Sequence, residues 1–529
     1  MIRLPQRETR TLLAVHGWSA VLLGLLLYAV IVTGVASVFT DEIADWSSPL
    51  PSQADTAWPQ GIGSAIQHAA QTVDPQFHEE MIAFRQAGGR MQVFFHKHDT
   101  DDAGKPIERG VVTVIDPQSR QIIERHVGTD EEIGEMNLPN ALAHFMVDLH
   151  VRLHLPNPWG LLLTGILGLA MMLAAVTGFV IHRHLFKELF TLRRHKDRML
   201  STRDAHVIAG SWNLPFAFIL AFTGSFFSFA SSFGIPAMAM AAFGGDRDKV
   251  IEVLVGNPAT NDPTPAPPPA LDRALDDARQ RAGSDPWYIL SEHWGRADAL
   301  QTVVMLAAPG TLRNRTFLYD AAGRFMQEKP LLGSVPSSGT AVYSLMGPLH
   351  FGNFAGVLSK AAWFALGFAG AYVTFTGLLL WTTRREDQPA WRYLGRSVTG
   401  LGYGLPLALI MAAYGYFPVV RLGGDVHITM MTAFLVALLG ALLLANLLRQ
   451  LADSRRILLS LTALALIGLP WLRWIGTGVS WIDAAHGGMN AVFAIDLGLS
   501  IAGLLCLRAV RRPSPAMKRL PSTQASPAT

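Results

Sequence analysis

Eight stretches of this chain are apolar over lengths that suit a lipid bilayer better than any soluble core. A hydrocarbon layer about 30 Å thick takes roughly 20 apolar residues to cross as a helix. Segments 12–39, 158–182, 207–230, 357–383, 402–420, 427–447, 457–475 and 488–507 meet that length. Composition agrees: of 529 residues, 50% are hydrophobic and only 16% are charged, too few charges for an ordinary soluble surface. The expected fold is an all-α polytopic membrane bundle of about eight transmembrane helices. Arg3, Arg7 and Arg10 precede the first segment as they would a signal peptide, yet its apolar run is about twice a signal core and reads as an uncleaved anchor. A net charge of +3 gives no reason to invoke nucleic acid. The single cysteine, Cys506, excludes an internal disulfide, an iron–sulfur cluster bound by this chain alone and covalent haem attachment. Metal chemistry here has to run on the 17 histidines.

Lys and Arg cluster in 183–203, 384–396, 449–456 and the tail 508–519, all on the side of the N-terminus. Basic loops stay inside, so both termini are expected in the cytoplasm. Two long insertions, 40–140 and 231–345, then lie outside. Each carries a short amphipathic helix ("GIGSAIQHAAQTV", "ALDRALDDARQRA") and alternating strand-like runs ("RMQVFFHK", "LQTVVMLAA"), the pattern of two small α+β modules. A Pro-rich stretch, "NPATNDPTPAPPP", reads as an extended linker, and "IPAMAMAAFGGDRDKVIEVLV" before it as a segment along the outer interface. The chain thus divides into a first transmembrane helix (1–39), an outer module (40–140), spans two and three with a basic loop (141–230), and a second outer module (231–345). Span four with its basic loop (346–400), a four-helix membrane extension (401–507) and a cytoplasmic tail (508–529) complete it.

The first four spans are a duplication. His16 precedes Thr33-Gly34 by seventeen residues, and His206 precedes Thr223-Gly224 by the same offset. Span two follows His150 and ends in Thr177-Gly178; span four follows His350 and ends in Thr376-Gly377. Seventeen residues are about 25 Å of helix, so His16 and His206 share the cytoplasmic level and His150 and His350 the outer one. His154, one turn beyond His150, is an alternative on the same face, because Pro156 and Pro158 delay the helix. Interfacial anchoring is the ordinary use of a histidine near a helix end. Four at matched offsets in a repeated unit point to ligands instead, and repeat interfaces commonly hold the site. Paired neutral imidazoles between apolar helices suit haem b, which takes two axial nitrogens and an apolar pocket. Glycines such as Gly17, Gly24, Gly165, Gly168, Gly210 and Gly367 either admit a flat macrocycle or are small-residue packing faces. The Thr-Gly pairs read as structural. In the last four spans His427, His486, Asp425, Asp483 and Asp496 read as packing or capping residues, with a quinone or proton site as the alternative. No Gly-rich dinucleotide fingerprint is present, so an electron donor has to be a separate cytoplasmic protein, a flavoprotein among the candidates.

The combination "H…G…TG" on span one, "LHVRL…TG" on span two and "LHFG…TGLLLW…RR" on span four resembles the PepSY-associated transmembrane helix family, over about residues 1–390. The outer modules resemble PepSY domains. The resemblance implies a bacterial inner-membrane reductase that holds two haem b groups and reduces ferric siderophore in the periplasm, releasing Fe(II) for uptake. It puts His16, His206, His150 and His350 at the family's recurrent histidine positions, as ligands of haem iron. Two departures stand out. His182 and His184 occupy places where span four has Trp381 and Thr383, making His182 a further candidate for the cytoplasmic haem, and four spans follow residue 400. The rival reading is a non-enzymatic regulator or scaffold whose PepSY-like modules bind periplasmic partners and whose histidines only anchor.

Overall fold

A computed structural model describes residues 5–511 except 49–57, 87–88, 101–105, 130–131, 134–137, 182–189, 191, 194–197, 259–261, 309 and 449. Among the described residues, eight helical stretches are long and apolar enough to cross a membrane. The protein is multi-pass.

The first half of the histidine bundle contains α1 (Gln6–Ser37), the short α2 (Thr40–Ser47), α3 (Ile62–Ala70), α4 (Leu138–Arg152) and α5 (Trp159–Ile181). The second half begins with α6 (Arg198–Phe229), which passes through a π turn (Ala230–Gly234) into α7 (Ile235–Ala242). The third span therefore runs as one 44-residue stretch, Met199–Ala242, rather than stopping near residue 230. Next come α8 (Arg247–Val255), α9 (Leu271–Ala282), α10 (Ser338–Phe351) and α11 (Gly356–Thr383). The C-terminal helices are α12 (Pro389–Leu422), α13 (Val426–Leu447), α14 (Leu451–Thr477), α15 (Trp481–His486) and α16 (Asn490–Arg511). Most of "RREDQPAWRYLGR", expected as a loop, is the first turns of α12, with Pro389 at its first position, where a missing N–H costs nothing.

The two insertions do not stand as separate modules. Strands β1 (Glu80–Arg85), β2 (Met91–Thr100), β3 (Pro106–Ile115) and β4 (Ile122–Thr129) come from the first, and β5 (Pro286–Glu292), β6 (Leu300–Met305), β7 (Arg315–Tyr319) and β8 (Phe325–Lys329) from the second. They form one antiparallel sheet of order β4-β3-β2-β1-β5-β6-β7-β8. The join is β1 against β5, with Met81 opposite Ser291 and Ala83 opposite Ile289. Each half alone would leave that strand with an unpaired row of backbone groups, and pairing the two removes both edges. One face carries Met81, Val93, Phe95, Ile289, Val303 and Phe317, all buried under α3 and α9. Asp272 of α9 accepts hydrogen bonds from the N–H groups of Gly63 and Ser64 (2.7 and 3.1 Å), so one half caps a helix of the other. The helix α8, expected along the membrane interface, is tied to the sheet: Lys329 donates to the carbonyl of Val255, and Asn257 donates to Glu292.

Candidate functional site

The four histidines at matched offsets come together in two pairs, each formed across the duplicated halves. His16 of α1 faces His206 of α6 with ring centroids 6.5 Å apart, and His150 of α4 faces His350 of α10 at 6.1 Å. Within its own half, each ring is seated in the neighbouring helix. The Nδ1 of His16 lies 3.0 Å from the carbonyl of Ala174, that of His206 3.0 Å from Val373, and that of His150 2.8 Å from Val30. These three carbonyls are three residues before Thr177, Thr376 and Thr33. His350 meets the hydroxyl of Thr223 itself, at 2.8 Å.

The carbonyl contacts fix the tautomer of three rings. A carbonyl can only accept, so Nδ1 of His16, His206 and His150 carries the proton. The hydroxyl of Thr223 lies 2.8 Å from both Ile219 O and Nδ1 of His350, and either can take its proton. Three of the imidazoles are therefore held with the lone pair on Nε2, the form that ligates a metal.

The glycines complete the seats. A β-carbon on Gly34 would stand 2.7 Å from Cε1 of His150, and on Gly178 3.1 Å from that of His16. The same holds for Gly224 against His350 (3.1 Å) and Gly377 against His206 (3.0 Å). The Thr-Gly pairs, read from the sequence as structural, are thus the sockets of the histidines. Their spacing held the signal: seventeen residues carry a helix from the level of its own histidine to that of the opposite pair.

Local structure holds the sheet-side histidines firmly. A capping box at Ser337 and Thr340 starts α10, Gly352 ends it with a φ of +67° that favours glycine, and Trp363 donates to the carbonyl of Leu349 (3.0 Å), next to His350. His154 lies elsewhere: its ring packs on Phe145 at 4.5 Å, beyond the end of α4, and it is His150 that faces His350. His182 lies outside the described residues. Around the His150–His350 pair the bundle leaves a cavity of about 330 Å³, walled by residues such as Gly34, Gly168, Phe216, Gly224 and Leu366.

A metal ion sits about 2 Å from an imidazole nitrogen. Two such bonds in line, with the radii of two five-membered rings, put the centroids about 6 Å apart. The observed centroid separations of 6.5 and 6.1 Å match that spacing. Among the described residues no three His, Cys, Asp or Glu side chains converge to hold a metal ion. Two facing imidazoles could hold an ion whose other ligands come from a planar macrocycle.

A family model described as the PepSY-associated TM region matches residues 13–384. The chain belongs to that family. The matched span contains both histidine pairs and all four Thr-Gly sockets of this PepSY-associated protein, and it stops before α12. A Pseudomonas aeruginosa protein named "Uncharacterized protein PA4219" is 26% identical over 291 residues, 51% of this chain and 70% of that one.

Proposed function

We propose that this PepSY-associated protein is a transmembrane reductase. In this reading it carries electrons from a cytoplasmic donor, across the bacterial inner membrane, to a ferric siderophore in the periplasm. One haem b would sit between His16 and His206 and a second between His150 and His350. The observation that carries the reading is the repeated geometry: two facing imidazole pairs, 6.5 and 6.1 Å between centroids, every ring fixed through Nδ1. Bound haem supplies a reversible one-electron iron couple. The chain's own part is to present Nε2, to stop each ring from turning and to wall the site with apolar side chains that keep water away. Along α1, His16 and Val30, the residue that seats His150, are about 21 Å of helix apart, so the two pairs lie at different levels of the bundle.

The basic stretches support a topology with both termini in the cytoplasm and the sheet in the periplasm. Electrons then enter at His16 and His206 and leave at His150 and His350, beneath the sheet. Siderophores hold Fe(II) less tightly than Fe(III), so reduction frees the metal for uptake.

The test is a single-turnover reaction. Reduced protein, freed of dithionite and mixed anaerobically with ferric siderophores and an Fe(II) chelator, is expected to reoxidise as the chelator colours. Reoxidation by quinones but by no ferric complex would make it a different oxidoreductase on the same scaffold.

A further inference from the structure

Seven residues after His206 and ten before Thr223, α6 carries Asn213. Those offsets are about 10 and 15 Å of helix, so the residue stands between the levels of the two histidine pairs. Its side chain is 3% exposed and lines the same cavity as His150 and His350. Its Oδ1 has no hydrogen-bond partner. Its Nδ2 is turned toward α11, 3.3 Å from where a β-carbon of Gly370 would be.

An unpaired amide oxygen is costly in an apolar wall. Two hydroxyls of the same wall are engaged elsewhere: Ser225 donates to Gly165 O (3.0 Å), and Thr164 bonds Val151 O and Ser228. A buried water needs two to four polar partners, and near Asn213 it would find few. The duplication sharpens the point. In α1 the residue seven after His16 and ten before Thr33 is Leu23. The scaffold therefore works with an apolar residue at this position, and the amide in one half answers to something else.

We propose that Asn213 is a positioning residue whose unpaired carbonyl end lowers the reduction potential of the group held by His150 and His350. The inference rests on the haem reading above. An amide oxygen is the negative end of a dipole, and in a low dielectric it favours the more positive, oxidised state of an iron centre. A lower potential at the exit makes that centre a stronger reductant toward a tightly chelated ferric ion.

The test is a spectroelectrochemical titration of full-length, haem-loaded Asn213→Leu beside the wild type, with components assigned through His350→Ala. The His150–His350 component should become easier to reduce by at least threefold in its equilibrium constant, roughly 30 mV for a one-electron couple. Haem content should stay unchanged. Asn213→Ala gives the same comparison if the leucine variant does not accumulate. Unshifted midpoints in a haem-replete variant, or a shift confined to the His16–His206 component, overturn the proposal and leave the haem reading standing. A wild-type protein without haem overturns both.

Discussion

The histidine bundle and the C-terminal helices both bury strongly polar groups, and they treat them in opposite ways. In α14 and α16, Arg473 and Asp496 form a closed knot. Asp496 accepts from Trp46 (2.7 Å), Trp481 (2.8 Å) and Nε of Arg473 (3.2 Å), and Arg473 also donates to the carbonyl of Val479. Only Nη2 of Arg473 is left without an aligned hydrogen bond, although it lies 3.1 Å from the same carboxylate. Trp46 belongs to α2, so the knot also locks the extension onto the histidine bundle. Tyr28 donating to Gly402 O and Tyr416 donating to Ser47 O do the same. In the histidine bundle, by contrast, each imidazole joins its own half of the duplication at Nδ1 and stands beside a ring of the other half. The knot closes one region of the protein on itself, and the ring pairs join two repeats.

Opening the knot is expected to cost most in stability and nothing in the site. Arg473→Met leaves Asp496 buried without its cation and should destabilise the protein by about 3–5 kcal/mol. Thermal unfolding in detergent would register that loss while the haem spectrum stays as in the wild type. A changed spectrum would mean the two regions are not independent.

Filling a socket should do the reverse. Gly34→Ala puts a methyl 2.7 Å from Cε1 of His150, and Gly178→Ala puts one 3.1 Å from that of His16. Overpacking of this kind costs about 1–3 kcal/mol. The first substitution should disturb the spectrum of the sheet-side component clearly, and the second should disturb the other component less. Equal, silent outcomes would return the Thr-Gly pairs to a purely structural role.

The sheet supplies the smallest effect and a control outside the membrane. Burial pushes the Glu80 carboxyl up, but hydrogen bonds with His96 and His98 outweigh it and bring the group down to about 2. Hydrogen bonding to Glu80 raises His98 to about 9. Glu80 therefore stabilises the sheet above its unfolded value near 4.5 and loses that contribution as pH falls toward 2. His98 stabilises it fully below 6.5 and loses that contribution as pH rises through 9. Sheet unfolding, followed by Trp294 fluorescence, should be most resistant between these limits. Glu80→Gln should flatten the profile and leave the haem spectrum alone; an unflattened profile would remove this pair as its source.

Much of this was legible in the sequence, because membrane spans and repeats are written in composition and spacing. The eight spans, the four histidines and their pairing by depth follow from apolar length and helix rise. Asp425 does cap α13, and Asp483 closes a capping box with Ser480 at the short α15, the capping role read for both acids. What stayed hidden depends on partners. Alternation in "RMQVFFHK" and "PWYILSE" gives each strand a buried face but not its neighbour, so the β1–β5 join that merges the insertions could not be read. A Thr-Gly pair is fully explained by its own helix until another helix brings a ring against it. Asn213 is one polar letter in an apolar run, and only the cavity gives it meaning. Arg473 was hidden likewise, since its partner Asp496 lies on another helix.

The central claim is that the four histidines form two independent metal-holding pairs, and reduced-minus-oxidised spectra of His16→Ala and His350→Ala test it most directly. The wild-type protein is expected to carry two haem b groups per chain with sharp low-spin α-bands. Each substitution should remove one component, and the two should remove different ones, with His206→Ala matching His16→Ala and His150→Ala matching His350→Ala. A colourless wild-type protein from haem-replete cells, or loss of the same component from His16→Ala and His350→Ala, would contradict the account.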